Sequence, residues 1–233
     1  MRSCSESGFT SKVINAEKLL TLLEQTALPS EFNPTINELK TAIATIKKQN
    51  AVIILKKQHY SQTVEDLKQL FVSKDNAIRK RLSLIGAYVK THYGKTSKEA
   101  IQVSDYISEI RGSNRVHNVG NSSVKNNINQ SYLSYTSQIR LFSELIQYLK
   151  SLDKTYTPSN KNLTVAALLS IQEKATYVND AVIVTYTELL QIKNTRKETC
   201  TRLTQLAQEI KSHIKKTDYN QLPEFRHLRS FKI

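Results

Sequence analysis

At 233 residues the chain has room for one large or two small domains, and a hydrophobic fraction of 39% with six Phe and no Trp requires an aliphatic core. Thirty-four Lys and Arg against 20 Asp and Glu leave a net charge of +14, a balance that favours loose association with nucleic acid or acidic partners and carries no information on fold. Two cysteines, Cys4 and Cys200, exclude a disulfide framework and a metal-binding spacing, and they fit a reducing cytoplasm.

Residues 1–10 are polar and read as a disordered tail. They lack the apolar segment of a secretory leader, and no run along the chain approaches the length that spans a bilayer. A soluble cytoplasmic protein without a membrane partner is therefore expected. From Ser11 to Thr26, Val13, Leu19, Leu20, Leu22 and Leu23 outline a short amphipathic helix. It ends before Ala27-Leu28-Pro29-Ser30, because the residue before proline is pushed out of the helical region. Pro34 suits the first turn of the next helix. Ile36, Leu39, Ile43, Ile46, Ile53, Val64, Leu67 and Phe71 then carry one stripe, which Ile78, Leu82, Ile85 and Val89 continue. Gly86 is the only breaker before Gly94, and a helix tolerates it at a cost of about 1 kcal/mol. A further short helix, Ser97 to Ile110, closes at Arg111-Gly112.

Residues 112–127 are rich in Asn, Ser and Gly with no apolar period, and read as a flexible linker. A helix from Gln130 to Leu152 follows, with Ile139, Phe142, Leu145, Ile146 and Leu149 on its face. Thr157-Pro158-Ser159 then turns the chain into a stretch from Asn162 to Lys216 that holds neither Gly nor Pro. Its apolar residues step by three, four and seven through Val165, Leu168, Ala175, Val178, Val182, Leu189 and Ile192. Leu203, Leu206, Ile210 and Ile214 extend the stripe. Such a helix would run roughly 80 Å and needs partners laid along it. The C-terminal segment from Leu222 onward is expected to add a helical turn or two.

The two halves match. Pro29-Ser30 aligns with Pro158-Ser159, Asn33 with Asn162, Thr35 with Thr164, Leu39 with Leu168 and Asn50 with Asn179, all at the offset that separates 29 from 158. Arg81-Leu82-Ser83 aligns with Arg202-Leu203-Thr204, and Val89 to His92 with Ile210 to His213, at the offset that separates 81 from 202. The first copy therefore carries about two extra helical turns between these blocks. Residues 11–111 and 128–233 are expected to be repeats packed together as one structural domain. The predicted fold is all-α: an elongated pseudo-two-fold helical bundle, each half a short helix plus a very long one.

Ser7-Gly8 followed by Val13 to Leu20, Asn127 to Tyr132 leading to Phe142 to Ile146, and Leu163 to Leu168 with Asn179 to Val182 and Thr185-Tyr186 carry a resemblance. In these stretches the chain resembles a family of internally duplicated all-helical bacterial proteins with no assigned activity. Glu224 to Phe231 departs from that pattern, and so does the linker. The resemblance implies an all-helical duplicated protein and transfers no catalytic residue.

The chain has no glycine loop for phosphate, no zinc spacing and no nucleophile motif, so no catalytic, cofactor or metal residue is assigned and an enzyme is not expected. His92 and His213 occupy equivalent positions and read as helix-end dipole partners. Asn50 and Asn179 sit mid-helix beside the stripe. They are candidates for a polar core that fixes the register of the long helices, as one buried Asn does in a coiled coil, or else boundary residues bonded to water. Arg79-Lys80-Arg81, Lys215-Lys216, Arg226 and Arg229 form the basic clusters, read either as exposed phosphate contacts or as a solvated face. Two functions follow. One is a non-enzymatic structural or protein-interaction protein that binds a protein partner or itself; the alternative is a basic, sequence-nonspecific nucleic-acid-binding protein.

Overall fold

The apolar stripes fold as their spacing dictates. The computed structural model describes residues 6–25, 33–112, 134–152 and 155–216, and every regular element among them is helical. Helix α1 spans Glu6–Gln25, so residues 6–10 belong to a helix and not to the expected tail. Helix α2 spans Asn33–Lys68 with Pro34 in its first turn, and α6 spans Val165–Lys216; at 52 residues α6 reaches the length that its unbroken stripe predicts, whereas α2, at 36, stops short of the end of its stripe. Side chains set several ends. Ser97 starts α4 (Lys98–Arg111) by accepting from the Ala100 N–H, and Gly112 closes it in the left-handed region at φ 73°. Ser134 starts α5 (Tyr135–Ser151) by accepting from the Ser137 N–H. A 3-10 turn at Lys161–Leu163 leads into α6, whose Ala167 N–H donates to the Thr164 hydroxyl.

One boundary departs from the sequence reading. The stripe from Pro34 to Gly94 breaks not at Gly86 but where α2 gives way to a π turn, Gln69–Ser73, and a turn at Asp75-Asn76. Helix α3, Ile78–Tyr93, then begins. Four consecutive polar residues, Ser73-Lys74-Asp75-Asn76, offer nothing to bury, and Ser, Asp and Asn compete for backbone hydrogen bonds in turns. The π turn keeps Phe71 fully buried beside Leu67 and 4.8 Å, centroid to centroid, from the Tyr135 ring. Gly86 lies inside α3, where a Cβ would stand 3.1 Å from Ile107 Cδ1, so its bareness lets α3 and α4 approach closely.

The described chain forms two units that do not follow the sequence halves: residues 1–59 with 186–233, and residues 60–185. The first unit buries Val13, Ala16 and Leu19 of α1 against Leu39, Ile43 and Ile46 of α2 and Leu203, Leu206 and Ile210 of α6. In the second, Leu67 and Phe71 join α3 (Ile78, Leu82, Ile85, Val89), α4 (Val103, Ile107, Ile110), α5 (Phe142, Leu145, Leu149) and the early turns of α6 (Leu168, Ile171, Ala175). Beyond Gly112, the linker lies outside the described residues. Among the described residues no helix is long and apolar enough to cross a membrane.

Candidate interaction surface and polar contacts of the long helices

In the first unit α2 and α6 run antiparallel, and four polar contacts mark the register. Arg202 Nη2 donates to Glu38 Oε2 at 2.7 Å, Gln49 Nε2 to Thr199 Oγ1 at 3.1 Å, Arg196 Nη1 to Asn50 Oδ1 at 3.0 Å and Lys56 Nζ to Glu188 Oε2 at 2.7 Å. Numbers rise on α2 as they fall on α6, as antiparallel packing requires. Arg196 is buried and its guanidinium lies 4.2 Å from the centre of the Phe9 ring, a cation–π contact that joins α1 to the same seam. The hydrogen bond from Lys56 holds the Glu188 carboxyl below its ordinary range. Cys200 is buried nearby; burial pushes its thiol up, against the pull of Arg196 and Lys12.

In the second unit the buried hydroxyls of Thr63 and Thr185 lie 3.1 Å apart, one on α2 and one on α6. Asn179 is buried and exchanges hydrogen bonds with the Thr136 hydroxyl at 3.3 and 3.4 Å. Each candidate Asn thus finds its partner inside its own unit, Asn50 in Arg196 and Asn179 in Thr136.

The basic triplet is not the exposed cluster that its composition suggests. Arg81 is 9% exposed; its Nε donates to the Asn76 carbonyl at 3.0 Å and its Nη1 to the Asn162 carbonyl. Arg79 is half-buried, and exposed Lys80 pairs with Asp75 at 3.2 Å. The reason is helical geometry. Arg81 sits on α3 between Ile78 and Leu82, on the face that faces the core. Lys215 and Lys216 are exposed in the last turn of α6, and Arg226 and Arg229 lie outside the described residues. His92 stacks on Tyr88 with centroids 5.4 Å apart, and His213 occupies the last turn of α6.

Large apolar side chains are exposed in the middle of both long helices. On α2 they include Ile54 at 59% and Leu55 at 65%, beside Val52; on α6 they include Ile183 at 52% and Val184 at 56%, with Tyr177, Tyr186 and Leu190 also exposed. None of Ile54, Leu55, Ile183 and Val184 lies on the stripes that the sequence reading follows, because each falls between stripe positions. That reading also missed Arg196, whose signal was present: the residue sits seven positions from Leu189 and from Leu203, on the buried stripe itself.

The fold and its contacts define an all-helical protein. Compared with known proteins, the chain matches no family model, no curated protein and no solved structure.

Proposed function

We propose that this is an internally duplicated, non-enzymatic helical protein that works by presenting the middle of its long helices to a protein partner or to a second copy. The observation that carries the reading is that two adjacent exposed apolar residues on α2 recur at equivalent places on α6. At the offset that pairs Asn50 with Asn179, Ile54 corresponds to Ile183 and Leu55 to Val184, and all four are exposed. Each pair sets two adjacent large apolar side chains in solvent, and exposed apolar patches mark interaction sites.

The duplication is supported by burial as well as identity. At the same offset Val13 and Phe142, Ala16 and Leu145, Leu39 and Leu168, Ala42 and Ile171, and Ile46 and Ala175 are buried pairs. At the second offset so are Leu82 and Leu203, Ile85 and Leu206, and Val89 and Ile210. On this reading α1, the early turns of α2 and the late turns of α6 correspond to α5, the early turns of α6 and α3. The break at 69–77 then holds the extra residues of the first copy. Each unit is built from the same three helical pieces, two from one copy and the third from the other. Resemblance to duplicated helical bacterial proteins without an assigned activity belongs to the same proposal.

Sedimentation velocity of the full chain and a Leu55→Glu/Val184→Glu variant tests it. Self-association at micromolar concentration, or a nuclease-resistant protein partner whose binding the variant loses at unchanged helix content, is expected. The reading falls if both proteins stay monomeric and partnerless while the chain binds duplex DNA below micromolar concentration at about 0.15 M salt. That outcome would favour nucleic-acid binding, which draws on the +14 charge but finds only Lys80, already ion-paired, exposed in its central triplet.

A further inference from the structure

A cavity of about 240 Å³ opens in the second unit, where the π turn, the start of α3 and the first turns of α6 meet. Lys74, Asn76, Arg81, Ser170 and Lys174 supply its polar lining. Arg81 is the deepest of these, nine-tenths buried, and both of its hydrogen-bond acceptors are neutral backbone carbonyls. None of Lys74, Arg81 and Lys174 forms an ion pair among the described residues. A buried guanidinium normally has a counter-charge, because desolvating an uncompensated cation is costly. The cavity also meets the start of α3 at Ala77, a residue with no side-chain cap to offer, so the positive end of that helix dipole adds to the same field.

The other copy shows what is missing. Arg202, the counterpart of Arg81, is held by two carboxylates: Glu38 at 2.7 Å and Glu209 at 3.6 Å. At the same offsets Glu38 corresponds to Ala167 and Glu209 to Tyr88. Ala167 lines the cavity. Where one unit fills this place with an internal anion, the other leaves a methyl group, an empty volume and two further lysines. The comparison rests on the duplication proposed above; the cavity and its cations do not.

We propose that this cavity is an anion site for a small phosphate-class ligand, either inorganic phosphate or the phosphate group of a small monoester. Three cations around one space suit a dianion better than a single carboxylate, and a guanidinium backed by lysines is a common phosphate-binding set. The volume admits a tetrahedral oxyanion with a short organic stem.

Isothermal titration of the full chain with inorganic phosphate, at ionic strength held constant with sodium chloride, tests the site. Saturable binding at one site per chain is expected. Lys74→Gln/Lys174→Gln, which changes two exposed residues, should weaken it about tenfold or more, the loss of charge-assisted hydrogen bonds. Ala167→Glu should abolish it without lowering the melting temperature of the unliganded protein, since the new carboxylate restores the pairing that Arg202 has. Lys215→Gln/Lys216→Gln, on the last turn of α6, should leave binding unchanged. Glycerol 3-phosphate run beside inorganic phosphate separates the two sources, the tighter of them naming the ligand. The proposal is overturned if phosphate gives no saturable signal, or if the Lys215/Lys216 variant loses as much as the cavity variant. It is also overturned if a single-stranded oligonucleotide saturates the chain where neither phosphate does. None of these readouts depends on self-association, so this site and the interaction surface fail separately.

Discussion

The two units solve the same packing problem with different side chains. In the first, the buried cluster holds only Val, Leu, Ile, Ala and one Cys, with alanines on all three helices at Ala16, Ala42 and Ala207. In the second, Phe71, Phe142 and Tyr156 enter the cluster and α4 adds a further layer. Small residues let helices approach and spread the stabilisation over many modest contacts. Aromatic residues concentrate it, because one ring buries far more apolar area than an alanine. The first unit compensates with polar rungs between α2 and α6, which give specificity of register more than net stability.

The largest expected effect breaks this contrast at one pair of buried positions, which the proposed duplication aligns. Phe142→Ala should cost about 3–5 kcal/mol in urea unfolding, whereas Val13→Ala in the first unit should cost only about 2 kcal/mol. Equal losses would show that ring size does not set the difference between the units. Tyr156 comes next. Its buried hydroxyl donates to the Leu163 carbonyl at 2.9 Å, so Tyr156→Phe should cost about 1–2 kcal/mol by leaving that carbonyl unpaired. Burial, with smaller contributions from Tyr88 and Tyr93, raises the Tyr156 phenol well above the tyrosine norm. Its contribution is therefore complete below pH of about 10, where the unfolded-state phenol is still neutral, and declines as the pH rises further. Thermal melts between neutral pH and pH 11 should show that decline in the wild type and a flatter profile in the Phe variant. An unchanged slope would place the alkaline sensitivity elsewhere.

The smallest effect sharpens the comparison of α3 with the late turns of α6. On the proposed duplication Gly86 and Ala207 correspond, and both are close-packed. Gly86→Ala should gain about 1 kcal/mol of helix propensity and lose a similar amount to its 3.1 Å approach on Ile107 Cδ1, for a net change within about 0.5 kcal/mol. Ala207→Gly should simply cost about 1 kcal/mol or more. Equilibrium unfolding of both variants reads the asymmetry, and a loss of several kcal/mol at Gly86 would mean that Ile107 cannot yield.

Local chemistry made the helices legible from the sequence alone. The stripe from Leu168 to Ile214 gave α6, Ser97 and Gly112 bracket α4 as cap residues should, and the absence of strand periodicity gave the all-α class. These features depend on residues a few positions apart, so a one-dimensional reading captures them. The interruption at 69–77 was written in Ser73-Lys74-Asp75-Asn76 but was masked by a stripe that resumes in phase at Ile78. Only the tertiary structure decided the rest. It buried Arg81, which the charge pattern placed in solvent, because its neighbours Ile78 and Leu82 turn that face of α3 inward. It gave Asn179 its partner in Thr136 and Asn50 its partner in Arg196, contacts that span 43 and 146 residues. It also drew the first unit from both ends of the chain and the second from its middle, a division that no local signal encodes, since which stripes cover one another is fixed by packing between helices far apart in sequence.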